Sequence, residues 1–325
     1  MIGALDTAGE RLSIVSELGW VGELAVEGAA GELRPADRAR GASVHVRVES
    51  SSSAFDTRGW ELLTRGAWRR NGEAVIQNVC TAGFDLYLRC SPLGAEFTYR
   101  WRPPARDRAV ARILRSRFHL LARSILLQYP VLWWAGTRGR APLHASACIA
   151  AGGRPMLTAP SGIGRSTVLF GEIAGGGRTT GDNLSVGDGN ALWGLVEPLR
   201  LKGGSGRRMP HGRNEVRMQN RLASLVPDSL VVLARGGSER ASLARCDVDA
   251  AQRSLVANTY MAGELRRYWS FAATLAAATG VGPAHPAVAE VAATFAQSLP
   301  CFRLTLGRTP GVSLTELLST VEVAA

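Results

Sequence analysis

The sequence predicts an α/β protein: a P-loop domain with a mixed sheet, preceded by a β-rich N-terminal domain. Three observations carry this expectation. Residues 159–167 read Ala-Pro-Ser-Gly-Ile-Gly-Arg-Ser-Thr, a phosphate-loop pattern set between an apolar strand-like run at 155–158 and a helix-like run at 168–173. From Pro142 onward, short apolar runs alternate with glycine turns and helical periodicity, as in α/β folds. Before Pro103-Pro104, runs of alternating polar and apolar residues dominate. The expected divisions are a β-rich domain over 1–104, a helical connector over 105–140 and the P-loop domain over 141–325.

Composition limits the function classes. At 325 residues and 46% hydrophobic content, the chain can bury a sizeable core, in one large domain or two moderate ones. It contains no apolar run of about 18 residues, the length that spans a bilayer, so no membrane is expected among its partners. The N-terminus lacks a basic stretch followed by a hydrophobic one. The five cysteines are scattered without metal-ligand spacing, so a reducing, cytoplasmic setting is expected. The net charge of +11 favours anionic partners such as nucleotides, phosphorylated metabolites or acidic peptides. Nucleic acid is not expected, because the arginines are spread along the chain, with no basic tail, zinc knuckle or aromatic–basic motif.

Along the chain, residues 44–48, 84–88 and 97–101 alternate as strands do, and Asn71-Gly72 signals a two-residue hairpin turn. Residues 105–128 read as one amphipathic helix, with Val110, Leu114, Phe118, Leu121 and Ile125 on one side. Arg108, Arg112, Arg115, His119 and Arg123 lie opposite, as a solvated face or as a contact surface for an acidic partner or a neighbouring subunit. Residues 143–150 and 154–158 read as strands flanking a tight turn, Asp188-Gly189 as a hairpin turn, and 230–233 and 302–306 as buried strands. Residues 247–298 read as mostly helical with a break at 280–286, and 314–321 as a closing helix.

The loop's chemistry follows from its residue types. Gly162 and Gly164 can adopt positive φ and turn backbone N–H groups inward, and the following helix adds the positive end of its dipole. Ser166 supplies the hydroxyl that suits Mg²⁺. Arg165 stands where the pattern calls for lysine. It keeps the charge, but it is planar and bidentate where lysine is a compact point charge. Lys202 is the only lysine in the chain, so a general preference for arginine is an alternative account of the replacement.

Leu143-His144-Ala145-Ser146-Ala147, a turn, the phosphate loop and then Gly181-Asp182-Asn183 together resemble the HPr kinase/phosphorylase group, whose P-loop fold is related to phosphoenolpyruvate carboxykinase. Pro198-Leu199-Arg200-Leu201 and Pro300-Cys301-Phe302-Arg303-Leu304 are similar to the branch that acts outside sugar regulation. The resemblance covers roughly 141–202, weakens toward residue 310 and is absent from the first hundred residues. It implies an HPr-kinase-like domain that transfers the γ-phosphate of ATP, with Mg²⁺, to a hydroxyl of a small molecule or peptide, in a specialised biosynthetic pathway. By position it implies that Ser161, Gly162, Ile163, Gly164, Arg165, Ser166 and Thr167 cradle the nucleotide. Ser166 and Asp182 would hold the metal, His144 would stand beside the γ-phosphate, and Asp182 would take the hydroxyl proton. His144, Arg165 and Asp182 are thus the expected catalytic residues. Homo-oligomers occur in the group, although no feature of this sequence demands one.

Two positions depart from the group's pattern at the reaction centre: Arg165 replaces a lysine, and Asn183 replaces the second acid of an Asp-Asp pair. Two alternatives therefore stand beside the kinase. One is a non-catalytic nucleotide-binding protein, and the other is an enzyme that uses the loop for a phosphorylated substrate. His144 also suits a satisfied core position, and Asp182 a turn cap. A second constellation lies at 203–215, glycine-rich and basic. There Arg207, Arg208 and Arg213 could bind phosphate or carboxylate and His211 could carry a proton, or the segment could be a surface loop. Glu197 is expected to pair with Arg200 or a later arginine.

Overall fold

The computed structural model describes residues 3–35, 41–150, 153–202, 206–209, 212–309 and 313–322, the last four of these by backbone only. The chain forms two compact units. The first comprises 1–139, 207–213 and 267–286, and the second comprises 140–206, 214–266 and 287–325. Elements are numbered in chain order.

The first unit is built on a mixed eight-stranded sheet in the order β1-β2-β3-β8-β7-β6-β5-β4. Its strands are β1 (Gly3–Thr7), β2 (Glu10–Ser16), β3 (Val44–Glu49), β4 (Glu61–Thr64), β5 (Ala67–Arg70), β6 (Glu73–Ile76), β7 (Phe84–Ser91) and β8 (Gly94–Trp101). β3 pairs in parallel with β2 and β8, and the other pairs are antiparallel. The expected alternation is present: Val44, Val46 and Val48 are buried, while His45 and Arg47 face solvent. Asn71 and Gly72 close the β5–β6 hairpin, both at positive φ (50° and 77°), the geometry that two-residue hairpin turns require.

Helix α1 (Gly19–Gly28) follows β2. The segment expected as one helix over 105–128 is instead two nine-residue helices, α2 (Ala105–Ile113) and α3 (Arg115–Arg123). They are separated at Leu114, whose φ of −104° and ψ of 48° are not helical. A π-type turn over Ser124–Gln128 then leads into α4 (Tyr129–Gly136). The expected apolar stripe is also only partly buried. Val110 and Leu114 are exposed, and continuous burial begins at Ala122. All eight residues of α4 are buried, as expected for a helix apolar on every side. Trp133 meets Phe97 edge-on at 5.9 Å, and Tyr99 Oη donates to the Ile125 carbonyl at 2.8 Å. Helix α7 (Tyr268–Thr279) and the short strand β16 (Arg208–Met209) also belong to this unit.

The second unit holds a mixed six-stranded sheet in the order β12-β10-β11-β19-β21-β20, and an antiparallel four-stranded sheet in the order β18-β14-β13-β9. The strands are β9 (Ala141–Leu143), β10 (Ala145–Ile149), β11 (Pro155–Thr158), β12 (Arg178–Thr179), β13 (Ser185–Gly187), β14 (Leu192–Gly194), β15 (Leu199–Lys202), β17 (Arg213–Val216), β18 (Ser224–Leu225), β19 (Ser229–Arg235), β20 (Ser242–Arg245) and β21 (Cys301–Leu306). The helices are α5 (Arg165–Ala174), α6 (Val248–Tyr260), α8 (Val288–Ser298) and α9 (Leu314–Glu322). β11, β19 and β21 run parallel, and Leu230 to Leu233 are buried on both faces, as central parallel strands require. Leu157, Val168, Val231, Leu304 and Leu314 lie in one core between sheet and helices. The chain is thus a mixed α/β protein, with no helix among the described residues long and apolar enough to cross a membrane.

The strand expected over 143–150 is divided at His144. β9 joins the four-stranded sheet and β10 the six-stranded one, so His144 sits where the chain passes from one sheet to the other.

Candidate functional site

The loop between β11 and α5 takes the strand–loop–helix form that its sequence predicts. Gly162 has φ 87° and Gly164, the residue just ahead of α5, has φ 127°. Side chains resist both values, so the two glycines set the path of the loop. Thr167 N and Val168 N both donate to the Gly164 carbonyl at 3.0 Å and start the helix. The N–H groups ahead of them have no intrahelical partner, and the ten-residue helix adds its dipole there. Ser161, Gly162 and Thr167 are exposed, and Ile163, Gly164 and Ser166 are half-buried.

A cavity of about 530 Å³ opens beside this loop. Ile163, Gly164, Thr167 and Gly171 form one wall, and Arg235 and Leu306 form part of another. Gly164 ahead of α5 and Gly171 within it keep that wall low. Below it, the buried Glu172 carboxylate accepts from Leu314 N at 2.7 Å and from Thr315 Oγ1 at 3.1 Å, which anchors the start of α9.

Between Ser161 and Thr167, Arg165 alone is buried. Its Nη1 donates to the His144 carbonyl at 2.7 Å, and its Nη2 donates to both the carbonyl and Oδ1 of Asn183 at 3.0 Å. The two departures from the phosphate-loop kinase pattern therefore touch each other. Asn183 also hydrogen-bonds the Glu264 carboxylate through its amide, lies 3.1 Å from His144 Nε2 through Oδ1, and donates its backbone N–H to Glu197 Oε1 at 3.1 Å. An aspartate at 183 would have no amide donor for Glu264 and would set a second carboxylate against it. An amide serves the arginine and the glutamate at once.

The rest of this network is buried ion pairing. Arg200 donates to Glu264 Oε1 at 2.7 Å and to Glu197 Oε2 at 3.2 Å, which is the Glu197–Arg200 pair expected from sequence. Asp182, 2% exposed, accepts the Arg200 backbone N–H on Oδ2 at 3.4 Å, while its Oδ1 has no hydrogen-bond partner among the described residues. Ser146 Oγ holds the Asp182 carbonyl at 2.5 Å. Helix α6 pins the strand side: Thr259 Oγ1 accepts from His144 N, and Asn258 Nδ2 donates to Thr158 Oγ1, both at 3.1 Å.

Burial shapes the protonation of this cluster. It pulls the His144 pKa from 6.5 down to about 4, and the neighbouring Arg165 charge adds to the effect. Asn183 Oδ1 is an acceptor for Arg165 and stands 3.1 Å from His144 Nε2, and the Ala159 backbone also hydrogen-bonds the imidazole. Burial also pushes Glu197 from 4.5 up to about 7, against the pull of Arg200. Burial opposes the Arg165 charge, while Asp182, Glu197 and Glu264 support it. For Arg200, burial is outweighed by Glu197, Glu264 and Asp182.

The two printed shifts have opposite linkage. The folded protein resists protonating His144, so that group lowers stability as pH falls from about 6.5 toward about 4. The folded protein retains the Glu197 proton, so that group raises stability as pH falls from about 7 toward 4.5. Over their common window the two effects cancel. Glu197→Gln removes one side of the balance. Relative to the unmodified chain, its urea-unfolding free energy is expected to decline as pH is lowered from about 6.5 to 4.5, by about 3 kcal/mol. Parallel pH profiles for the two proteins would show that Glu197 does not hold its proton in the folded state.

The structure thus brings His144, Arg165, Asp182 and Asn183 together beside the loop, with Ser161 to Thr167 forming the loop itself. Of the 203–215 constellation, residues 203–205 and 210 lie outside the described residues. Arg207, Arg208 and Arg213 belong to the first unit, where Arg207 pairs with Glu27 and His119. His211 lies outside the described residues. Glu264, Asn258 and Thr259 carried no signal in sequence, since each acts through contacts with residues far away in the chain. Among the described residues no group of three or more His, Cys, Asp or Glu side chains could cage a metal. All five cysteines are unpaired. No protein-family model matches the chain, and no curated protein matches it either.

Proposed function

We propose that the second unit is a nucleotide-dependent phosphotransferase of HPr-kinase-like type, which moves the γ-phosphate of ATP to a hydroxyl of a small molecule or peptide. The observation that carries this reading is the loop with two left-handed glycines at the head of α5, opening onto a cavity sized for a small ligand. In this reading the loop N–H groups and α5 hold the phosphates, and the nucleoside lies along Thr167 and Gly171. The acceptor oxygen forms a bond to the γ-phosphorus as its proton passes to Asp182, and the bond to the ADP oxygen breaks.

Mg²⁺ fits the donors present. Ser166 offers a hydroxyl and Asp182 a carboxylate oxygen without a hydrogen-bond partner among the described residues, both hard ligands. With so few protein ligands, Mg²⁺ would keep waters and share the nucleotide phosphates, and when bound it neutralises charge on them. Unpaired cysteines accord with a cytoplasmic setting, and a specialised biosynthetic pathway remains the context we propose.

One observation favours a second reading. The Arg165 guanidinium is engaged by His144 and Asn183, and the neutral His144 adds no charge, so neither side chain offers a free cation to a γ-phosphate. That arrangement suits a protein that binds nucleotide without turning it over. Calorimetric titration with ATP and Mg²⁺, followed by an ADP assay with candidate hydroxyl acceptors, separates the two. Binding with acceptor-dependent ADP release supports the kinase. Binding without release supports the nucleotide binder, and no binding overturns both.

A further inference from the structure

Helix α2 is built in reverse of an ordinary surface helix. None of its nine residues is buried. Ile113 is 79% exposed, and Val110 and the following Leu114 are exposed too. Arg106, Val110 and Ile113 recur at helical spacing on one face, so apolar and cationic groups face solvent together. Where the helix breaks, a groove of about 500 Å³ is lined by Ile113, Leu114, Arg115, Arg117, Arg208 and Met209.

The charge around this groove is unbalanced. Among the described residues Arg106, Arg108, Arg112, Arg115, Arg117 and Arg208 make no ion pair, whereas the adjacent Arg207 is held by Glu27 and His119. Asp107, the one acid between 105 and 117, already accepts from Asn78 Nδ2 at 2.8 Å. We infer that this groove docks an acidic, partly apolar peptide segment of another protein. The arginines supply paired recognition of carboxylates, and Ile113, Leu114 and Met209 supply the apolar seat. A second copy of the same face would bring like charges together. Nucleic acid would make no use of the aliphatic side chains, and a flat lipid surface would not fill a groove. The inference is independent of the phosphate-loop reading.

Fluorescence anisotropy tests it, with a short fluorescein-labelled peptide in which Glu alternates with Leu as the probe. Saturable binding that weakens with salt and is lost when every Glu of the peptide is replaced by Gln is expected. Arg112→Glu with Arg115→Glu and Arg117→Glu should weaken it about tenfold or more, and Ile113→Ser about fivefold. These side chains are exposed, so circular dichroism should show both variants folded. A control that carries the same charge change elsewhere, Arg65→Glu with Arg240→Glu and Arg253→Glu, should bind nearly as the unmodified chain does. Equal weakening by the control, or equal binding of the Gln peptide, would overturn the inference. Flotation with phosphatidylglycerol vesicles in the absence of peptide binding would overturn it in favour of a membrane surface.

Discussion

Arg165→Ala is expected to lower the unfolding free energy by about 3–5 kcal/mol, the usual cost of removing one partner from a buried ion network. Three hydrogen bonds would go, leaving the carbonyls of His144 and Asn183 without these donors and Asp182, Glu197 and Glu264 to share Arg200. Urea unfolding measures it directly, and a loss below about 1 kcal/mol would mean that the guanidinium is not engaged as described. Arg165→Lys keeps the charge but lacks the planar fork that reaches His144 and Asn183 together, so a smaller loss of about 1–3 kcal/mol is expected. Nucleotide affinity reads the other possible role. If the side chain swings onto phosphate when ATP arrives, Arg165→Ala should also weaken ATP by about 1.5–3 kcal/mol. If it stays on His144 and Asn183, ATP affinity should change little at a temperature where the variant is folded.

Asp182→Asn is expected to reduce acceptor-dependent ADP formation by about 10²–10⁴-fold, the usual contribution of a positioned proton acceptor. The substitution is nearly isosteric. Its backbone bond from Ser146 remains, and the one amide oxygen can still accept from Arg200 N. What is lost is the charge and the basicity of the unpartnered Oδ1. A fall in turnover with unchanged ATP affinity assigns Asp182 to the proton, whereas a parallel fall in Mg²⁺-dependent affinity assigns it to the metal. Unchanged turnover would remove it from the reaction.

Much of the local structure was legible in the residues. The Asn71-Gly72 turn, the alternation in β3, the buried run in β19 and the strand–loop–helix around Gly162 and Gly164 each depend on a few neighbouring residues. The β1–β2 hairpin was harder to read, because Ala8-Gly9 turns with both residues at positive φ but lacks the familiar Asn-Gly or Asp-Gly signature. The division of 105–128 at Leu114 was hidden for a different reason. Its hydrophobic spacing is helical throughout, yet the two halves face different surroundings. Residues from Ala122 onward enter the core, while no residue of α2 is buried.

At the candidate site, sequence alone determined the loop's backbone path, the order of β11, loop and α5, and the proximity in chain of Asp182 and Asn183. It could not set the direction of the Arg165 side chain. An arginine at that position can reach outward to a phosphate or inward to carbonyls, and the choice rests on which acceptors the fold brings near. Only the tertiary structure decided this, by turning the chain between two sheets at His144 and by bringing Glu264 within 2.7 Å of Arg200 across 64 residues of sequence. Removing charged groups from water is costly unless they are paired, so the partners of Arg165 and Arg200 are set by what is buried with them rather than by what stands beside them in the chain.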